Sequence, residues 1–428
     1  MNPSTQKHLV IIGTGMAGGR LLDELMQLDR SKYKISVFGE EPHPNYNRIM
    51  LSPLLAGDVT ADQIILNSLD WYQEHGITLY KNERITGIDC EQKTLVSQQG
   101  TELSYDELVF ATGSLPFRVP TPGDHLKNIY LFRTIEDVDA ILTAAQSAEN
   151  AVVIGGGLLG LEAAYGLAIK GVHTTVVNRA PYLLNRQLDA ESGEMLRETL
   201  LEKGIDTRLD NQVDAFLGDE CVSGALLGSG ETLKADLVII AIGITPNTAL
   251  AQSAGLNVGR GIIVDDSLCT SNACVSALGE CIEHRGETFG LVAPIWDQAQ
   301  LLAERLVFGN ETQYASKAVP TKLKVSGVDL FSAGLVDAEQ GDRTLTLKDP
   351  THRAYRKLIL RDQRIVGIVL FGDVQDGNWY FELLEQQTKV DDLLPHLLYG
   401  KSFCTLTEAH TNQPNTPQPN KALTGASS

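Results

Sequence analysis

The chain is 428 residues long, 43% hydrophobic and 21% charged, the make-up of a globular protein large enough for several cores. Its 35 basic residues are outweighed by 54 acidic ones, a formal charge of −19 that disfavours nucleic acid and anionic membrane as partners. No apolar run approaches the roughly 20 residues of a membrane span, and the N-terminus has no basic stretch leading into an apolar segment and cleavage site, so a cytoplasmic location is expected.

In chain order, HLVIIGTGMAGGRLLDEL from His8 reads as a buried strand, a glycine turn and a helix, with KISVF as the next strand. The segment that follows, VFGEEPHPNYNRIMLSP (Val37–Pro53), is polar and has neither period, so it reads as a turn. DELVFATGSLP from Asp106 is a strand closed by glycine. AVVIGGGLLGLEAAYGLAIKG from Ala151, followed by HTTVV, repeats the strand–turn–helix–strand unit. Two more strands, in ADLVIIAIGITPN from Ala235 and ACVSALGEC from Ala273, also end in glycine turns. Beyond Val319, TKLKVSGVDLFSAG, RTLTLKD, YRKLILRD and RIVGIVLFGD read as four short alternating strands, with amphipathic helices around Trp379–Gln387 and Asp391–Leu398. The polar, Pro/Asn-rich end is expected to be disordered.

Repetition of the βαβ pattern means two dinucleotide sites. The expected fold is therefore α/β: two Rossmann-like domains, the second inserted in the first, and a C-terminal α+β domain. In the first motif, Gly13-Thr14-Gly15-Met16-Ala17-Gly18, one glycine makes the tight turn. The second lets backbone approach a pyrophosphate, the third packs helix on strand, and amides at Met16 and Ala17 face the phosphate. Glu40, 22 positions after Gly18 at the next strand end, suits a ribose hydroxyl. The second motif is Gly155-Gly156-Gly157-Leu158-Leu159-Gly160. Its strand ends in Asn178 and Arg179 instead of an acid: Asn178 can bond a ribose without charge, and Arg179 can pair with a 2′-phosphate or face solvent. Local chemistry thus leaves NADH and NADPH both open. Glu162 is explained either by the helix N-terminus or by a place beside a nicotinamide. Backbone at Gly113 and Gly243 can approach a cofactor closely, and Trp296 can pack near an aromatic ring or at an interface. The six cysteines form no CxxC, CxC or zinc spacing; buried, reduced free thiols and no metal are expected.

Two glycine motifs, ATG, AIGxxPN and a late GEC together resemble the FAD- and NAD(P)H-dependent reductases of the pyridine nucleotide–disulfide reductase superfamily. The resemblance runs from Lys7 to about Leu398. VFGEEPHPNYNRIMLSPLLAG, GECIEHRGETFGLVAPIWDQA and TKLKVSGVDLFSAG are similar to the N-terminal part of assimilatory nitrite reductase large subunits and to the electron-transfer subunit of assimilatory nitrate reductase. It implies an FAD domain (1–118 and 245–318), an NAD(P)H domain (119–244), a C-terminal interface domain (319–406) and a tail (407–428). FAD would be held by Gly13, Gly15, Met16, Ala17, Gly18, Glu40, Arg48, Ser52, Ile85, Thr112, Gly113, Gly279, Glu280 and Trp296, with Arg48 on the pyrophosphate and Glu280 on the ribityl hydroxyls. The nicotinamide dinucleotide would be held by Gly155, Gly157, Leu158, Leu159, Gly160, Glu162, Asn178, Arg179 and Gly243.

Val37–Pro53 departs from the thiol-dependent members in having no cysteine, and from the ferredoxin-reductase-like branch in having Pro53 where a lysine pairs with the glutamate matching Glu162. A thiol relay is therefore not expected. The implied function is an NADH-dependent FAD reductase that hands electrons to another protein. The foremost acceptor is the molybdenum-containing catalytic subunit of assimilatory nitrate reductase; a nitrite reductase component, rubredoxin or ferredoxin is the alternative. A non-catalytic FAD/NADH redox sensor and an NADH oxidase using O2 are competing readings. Oligomeric state is not legible.

Overall fold

The computed structural model describes residues 6–310, 313–317, 319–325 and 327–404; the tail expected to be disordered lies outside them. The chain divides into two compact units, Met1–Asn185 with Ala190–Val319, and Arg186–Asp189 with Pro320–Ser428.

The first unit contains one architecture twice. Lys7–Ile12, Tyr33–Phe38, Thr78–Tyr80 and Glu107–Phe110 pair in parallel with Val275–Ala277 as a five-stranded sheet, in which Lys7–Ile12 is central. Asn150–Ile154, His173–Val177, Ile205–Arg208, Leu237–Ile240 and Ile129–Leu131 form the second, with Asn150–Ile154 central. Central strands of a doubly covered parallel sheet are buried on both faces. Leu9, Val10, Ile11, Val152 and Val153 are accordingly fully buried, each such side chain contributing about 1.5–3 kcal/mol. Helix Met16–Leu28 packs on helix Val292–Phe308, and the short helix Leu51–Ala56 packs on helix Leu158–Ala168. Gly166 permits the second contact, because a Cβ there would press on the Leu55 side chain at 3.0 Å.

The duplication extends further than the motifs announced. Each half inserts a three-stranded antiparallel sheet: Ile85–Asp89, Thr94–Ser97 and Glu102–Ser104 between Thr78–Tyr80 and Glu107–Phe110 in one, and Val213–Gly218, Val222–Leu227 and Thr232–Lys234 between Ile205–Arg208 and Leu237–Ile240 in the other. The chain crosses between the halves twice, and the two crossings pair as an antiparallel ribbon, Ser114–Pro116 with Ile244–Pro246. Val37–Pro53 is not all turn: a 3-10 turn at Arg48–Met50 leads into the helix Leu51–Ala56. Pro53 is tolerated there because the first helical turn needs no amide donor from it.

The second unit is a five-stranded antiparallel sheet in the order Thr321–Val325, Val328–Gly334, Arg364–Phe371, Ala354–Arg361, Arg343–Asp349. TKLKVSGVDLFSAG, read as one strand, is two, folded back at Val325↔Val328. Helix Gly377–Glu385 covers Phe331, Leu358, Ile368 and Leu370 through Tyr380 and Leu384. The helix expected around Asp391–Leu398 is instead a pair of 3-10 turns, Asp391–Leu393 and Leu397–Tyr399, interrupted by Pro395, which lacks the amide an α-helix would use.

The six cysteines are free, but the expectation that all are buried is corrected: Cys281 and Cys404 are buried, Cys221 is exposed, and Cys90, Cys269 and Cys274 are intermediate. Cys269 and Cys274 instead accept from Arg305 (2.6 Å) and Lys93 (2.9 Å). Among the described residues no helix is long and apolar enough to cross a membrane.

Candidate functional site

Each parallel sheet ends in a glycine cradle, and the two match position by position. Gly13 has φ +121° and Gly155 φ +117°, conformations that favour glycine. Their amides bond the carbonyls of Phe38 (2.8 Å) and Val177 (2.9 Å). A side chain on either would strike the carbonyl of Ala111 or Ala241, at the end of the fourth strand. Likewise a Cβ on Gly18 or Gly160 would strike the carbonyl of the first glycine of its own motif. At Gly15 and Gly157 a Cβ would meet nothing within 4 Å. These two glycines cap the helices at Met16 and Leu158 without a side-chain acceptor, so the first-turn amides of each helix face open space.

One difference separates the cradles. Thr14 stands against Gly39 in the first, whereas Gly156 stands against Asn178 in the second, so bulk has moved from the turn to the strand end. The Asn178 amide is engaged in this packing: Oδ1 accepts from the Gly156 amide (3.1 Å), and Nδ2 donates to the carbonyls of Ala180 (3.2 Å) and Tyr182 (3.1 Å). Asn178 thus holds the loop rather than offering a free amide to a ribose. Glu40 and Arg179 are both exposed; Glu40 has Arg84 at 3.8 Å.

Between the cradles, Ser52 on Leu51–Ala56 donates to the Glu162 carboxylate at 2.5 Å. Glu162, expected to lose a lysine partner to Pro53, thus has a hydroxyl as partner. Burial raises the Glu162 carboxyl above its ordinary value of 4.5, and the Ser52 bond opposes the rise without cancelling it. A raised acid binds its proton more tightly folded than unfolded, so it favours the fold at low pH and loses that contribution as pH climbs through the raised value. Glu162→Gln is therefore expected to melt at increasingly higher temperature than the parent as pH rises from about 4.5, the gap levelling once Glu162 is ionised. A gap that does not change with pH would refute this.

The returning chain closes the first cradle. Gly279 lies against Ala17, where a Cβ would come within 2.8 Å of the Ala17 methyl, and its amide donates to Gln298 Oε1 at 2.8 Å. Glu280 then accepts from Arg133 (2.5 Å) and from the Ser114 hydroxyl (2.7 Å) through one oxygen. Arg133 owes its place to a capping box: Thr134 and Asp137 cap helix Ile135–Ala145, and Asp137 also accepts from the Arg133 amide at 2.8 Å. Arg48 is not a free counter-charge. Its guanidinium pairs with the Glu41 carboxylate and donates to the Tyr46 hydroxyl (2.7 Å) and the Arg133 carbonyl (2.8 Å). Tyr46 in turn donates to Glu41 at 2.6 Å, and burial raises its phenol.

The other expected residues lie in three settings. Thr112, Gly113 and Gly243 lie at the crossing ribbon, where the Thr112 hydroxyl donates to the Asn247 carbonyl (2.8 Å) and Asn247 donates to the Gly113 carbonyl (2.9 Å). Ile85 turns its side chain into the core, leaving only its backbone for a ligand. The Trp296 ring lies under the Arg20 guanidinium at 5.4 Å, on the neighbouring helix. Glu41, Ser114, Arg133, Asn247 and Gln298 were not singled out from sequence. For Arg133 the only signal was Thr134-Ile135-Glu136-Asp137, which announces a cap and not a partner for Glu280.

The model of the pyridine nucleotide-disulphide oxidoreductase family matches residues 7–300. The chain belongs to that family. Residues 320–388 match the rubredoxin NAD+ reductase C-terminal domain. Among similar proteins, the nitrite reductase [NAD(P)H] of Bacillus subtilis (strain 168) is 43% identical over 90% of this chain and 48% of its own length. The assimilatory nitrate reductase electron transfer subunit of the same organism is 38% identical over 98% of this chain and 55% of its own. The chain thus spans about half the length of these relatives. Among solved structures, the covalent putidaredoxin reductase–putidaredoxin complex superposes with a TM-score of 0.83 at 26% identity, covering 95% of this chain and 99% of that one.

Family members are oxidoreductases dependent on FAD and NAD(P)H. Both cradles fit a dinucleotide: open space lies over each second glycine, and uncapped helix amides face it.

Proposed function

We propose that the chain is an FAD-dependent NAD(P)H reductase that passes electrons to a separate redox protein, foremost the catalytic subunit of an assimilatory nitrate reductase. The observation that carries the reading is the pair of matching cradles joined across the crossing ribbon, with the Ser52–Glu162 pair between them. Residues 1–118 and 245–318 would hold FAD over Gly13, Gly15 and Gly18, and residues 119–244 the nicotinamide dinucleotide over Gly155, Gly157 and Gly160.

When bound, FAD accepts two electrons from reduced nicotinamide and releases them singly. The chain's part is placement. Helix amides at Met16 and Leu158 would receive the two pyrophosphates. Glu280, fixed by Arg133 and Ser114, keeps a second carboxylate oxygen for ligand hydroxyls. Arg48 stiffens the mouth through Glu41 and Tyr46 instead of meeting phosphate directly. Ser52 orients Glu162 at the meeting point of the two sites. No thiol is required, since Val37–Pro53 holds no cysteine.

Likeness to the nitrate reductase electron transfer subunit along almost the whole chain supports the choice of acceptor. A rubredoxin-type acceptor is the second reading, favoured by the family match of residues 320–388. Anaerobic mixing of the FAD-loaded chain with NADH, then with each candidate acceptor, tests both. Rapid bleaching followed by acceptor-dependent reoxidation is expected. Slow bleaching to a complex that no acceptor reoxidises would favour a redox sensor, and prompt reoxidation by O2 alone an oxidase.

A further inference from the structure

The two halves can be compared at the strand end that meets the adenosine ribose, because their hydrogen bonds align them. Ile12 pairs with Phe38 and Ile154 with Val177 at the ends of the central strands. One residue on, the amides of Gly39 and Asn178 each bond the carbonyl ending the third strand, Tyr80 or Arg208, at 2.9 Å. Gly39 and Asn178 are also the residues that face the turn, against Thr14 and Gly156. The next positions are therefore equivalent: Glu40 in the first half and Arg179 in the second.

In the first half this position carries the acid that suits two ribose hydroxyls. In the second it carries the opposite charge. Asn178, the preceding residue, has its amide engaged with Gly156, Ala180 and Tyr182. Arg179 is exposed and has no ion pair or side-chain hydrogen bond among the described residues, although Glu40, Arg84 and Arg208 in comparable settings have partners. The backbone of Asp210 and Asn211 lies alongside, bonded to Ala180 and Asn178, and neither side chain pairs with Arg179.

We infer that the second cradle is built for a nicotinamide dinucleotide bearing a 2′-phosphate, with Arg179 as the residue that recognises it. A guanidinium matches a phosphate with paired donors, whereas a ribose 2′-hydroxyl at that place gains little from a cation and lacks the acid it prefers. NADPH is then a better ligand than NADH. The inference rests on reading the second cradle as a dinucleotide site, and its test separates the two claims.

The FAD-loaded chain is titrated calorimetrically with 5′-AMP and with 2′,5′-ADP, which differ only in the 2′-phosphate and lack the reactive ring. 2′,5′-ADP is expected to bind about tenfold or more tightly than 5′-AMP, the worth of one charge-assisted pair. Arg179→Ala should bring the two ligands level, and Arg179→Glu should favour 5′-AMP. Equal binding of 5′-AMP and 2′,5′-ADP, or a preference that survives Arg179→Ala, would overturn the assignment while leaving the site. Binding of neither ligand would overturn the dinucleotide reading of the second cradle itself.

Discussion

Gly157→Ala is expected to leave the chain folded and flavin-loaded, and to slow its bleaching by NADH by about 10²-fold, the penalty for displacing a bound group by roughly 1 Å. The reason lies in what surrounds Gly157. Its backbone is extended, φ −82° and ψ 176°, which any residue adopts, and a Cβ would meet nothing within 4 Å. A methyl group there clashes with nothing in the protein and fills the space where backbone must approach a pyrophosphate. Gly15→Ala is the matching probe of the first cradle, at φ −70° and ψ −175°, and should yield folded protein that retains little FAD. Gly155 and Gly160 are poorer choices, since added atoms would strike backbone carbonyls and confuse misfolding with lost binding. Stopped-flow bleaching beside the circular dichroism of the variant decides the matter. Gly157→Ala bleaching at the parent rate would mean that no pyrophosphate crosses that glycine.

Lys357→Met is expected to destabilise the C-terminal unit by about 3–5 kcal/mol, as when one partner of a buried ion pair is removed. Lys357 and Asp189 are 2.8 Å apart with side chains only 10% and 7% exposed. Lys357 also donates to the Val336 carbonyl at 2.8 Å, and the Tyr355 hydroxyl donates to Asp189 at 2.8 Å. With the lysine gone, Asp189 keeps a buried charge that has lost the cation 2.8 Å away. Asp189→Asn added to Lys357→Met should recover most of the loss, because no buried charge then remains. Hydrogen exchange in Ala354–Arg361 and Arg364–Phe371 reads this unit separately, which matters because global unfolding of a two-unit chain is not a single transition. A double variant as unstable as the single one would show that the cost was lost packing of the lysine stem.

Much of this architecture was legible because it rests on local rules. A short apolar run, a glycine turn and a helical period can fold in few ways, and finding the series twice implied two parallel sheets. The antiparallel sheets after Tyr80 and Arg208 were less visible, since strands of three to six residues between turn residues carry little period. LSPLLA was hidden by its proline, although proline is acceptable in a first helical turn.

Side-chain assignments divided along a similar line. Glycines could be placed from sequence, because their roles follow from the backbone path that the motif imposes. Charged residues could not, because a charge is defined by its neighbours. Arg48 stood in the right segment, yet Glu41 and the Arg133 carbonyl, 85 residues away, take its donors. Glu280 gained Arg133 as a partner across 147 residues, and Glu162 gained Ser52 across 110. Asn178 was named for a ribose and instead braces Gly156. The sequence by itself determined two glycine cradles, their helices and a third module of antiparallel strands, since these depend on periodicity and steric demand. Which carboxylates are neutralised, which amide is engaged and which cation stays free were decided only by tertiary contact, because hydrogen bonds and ion pairs join residues that chain order keeps far apart.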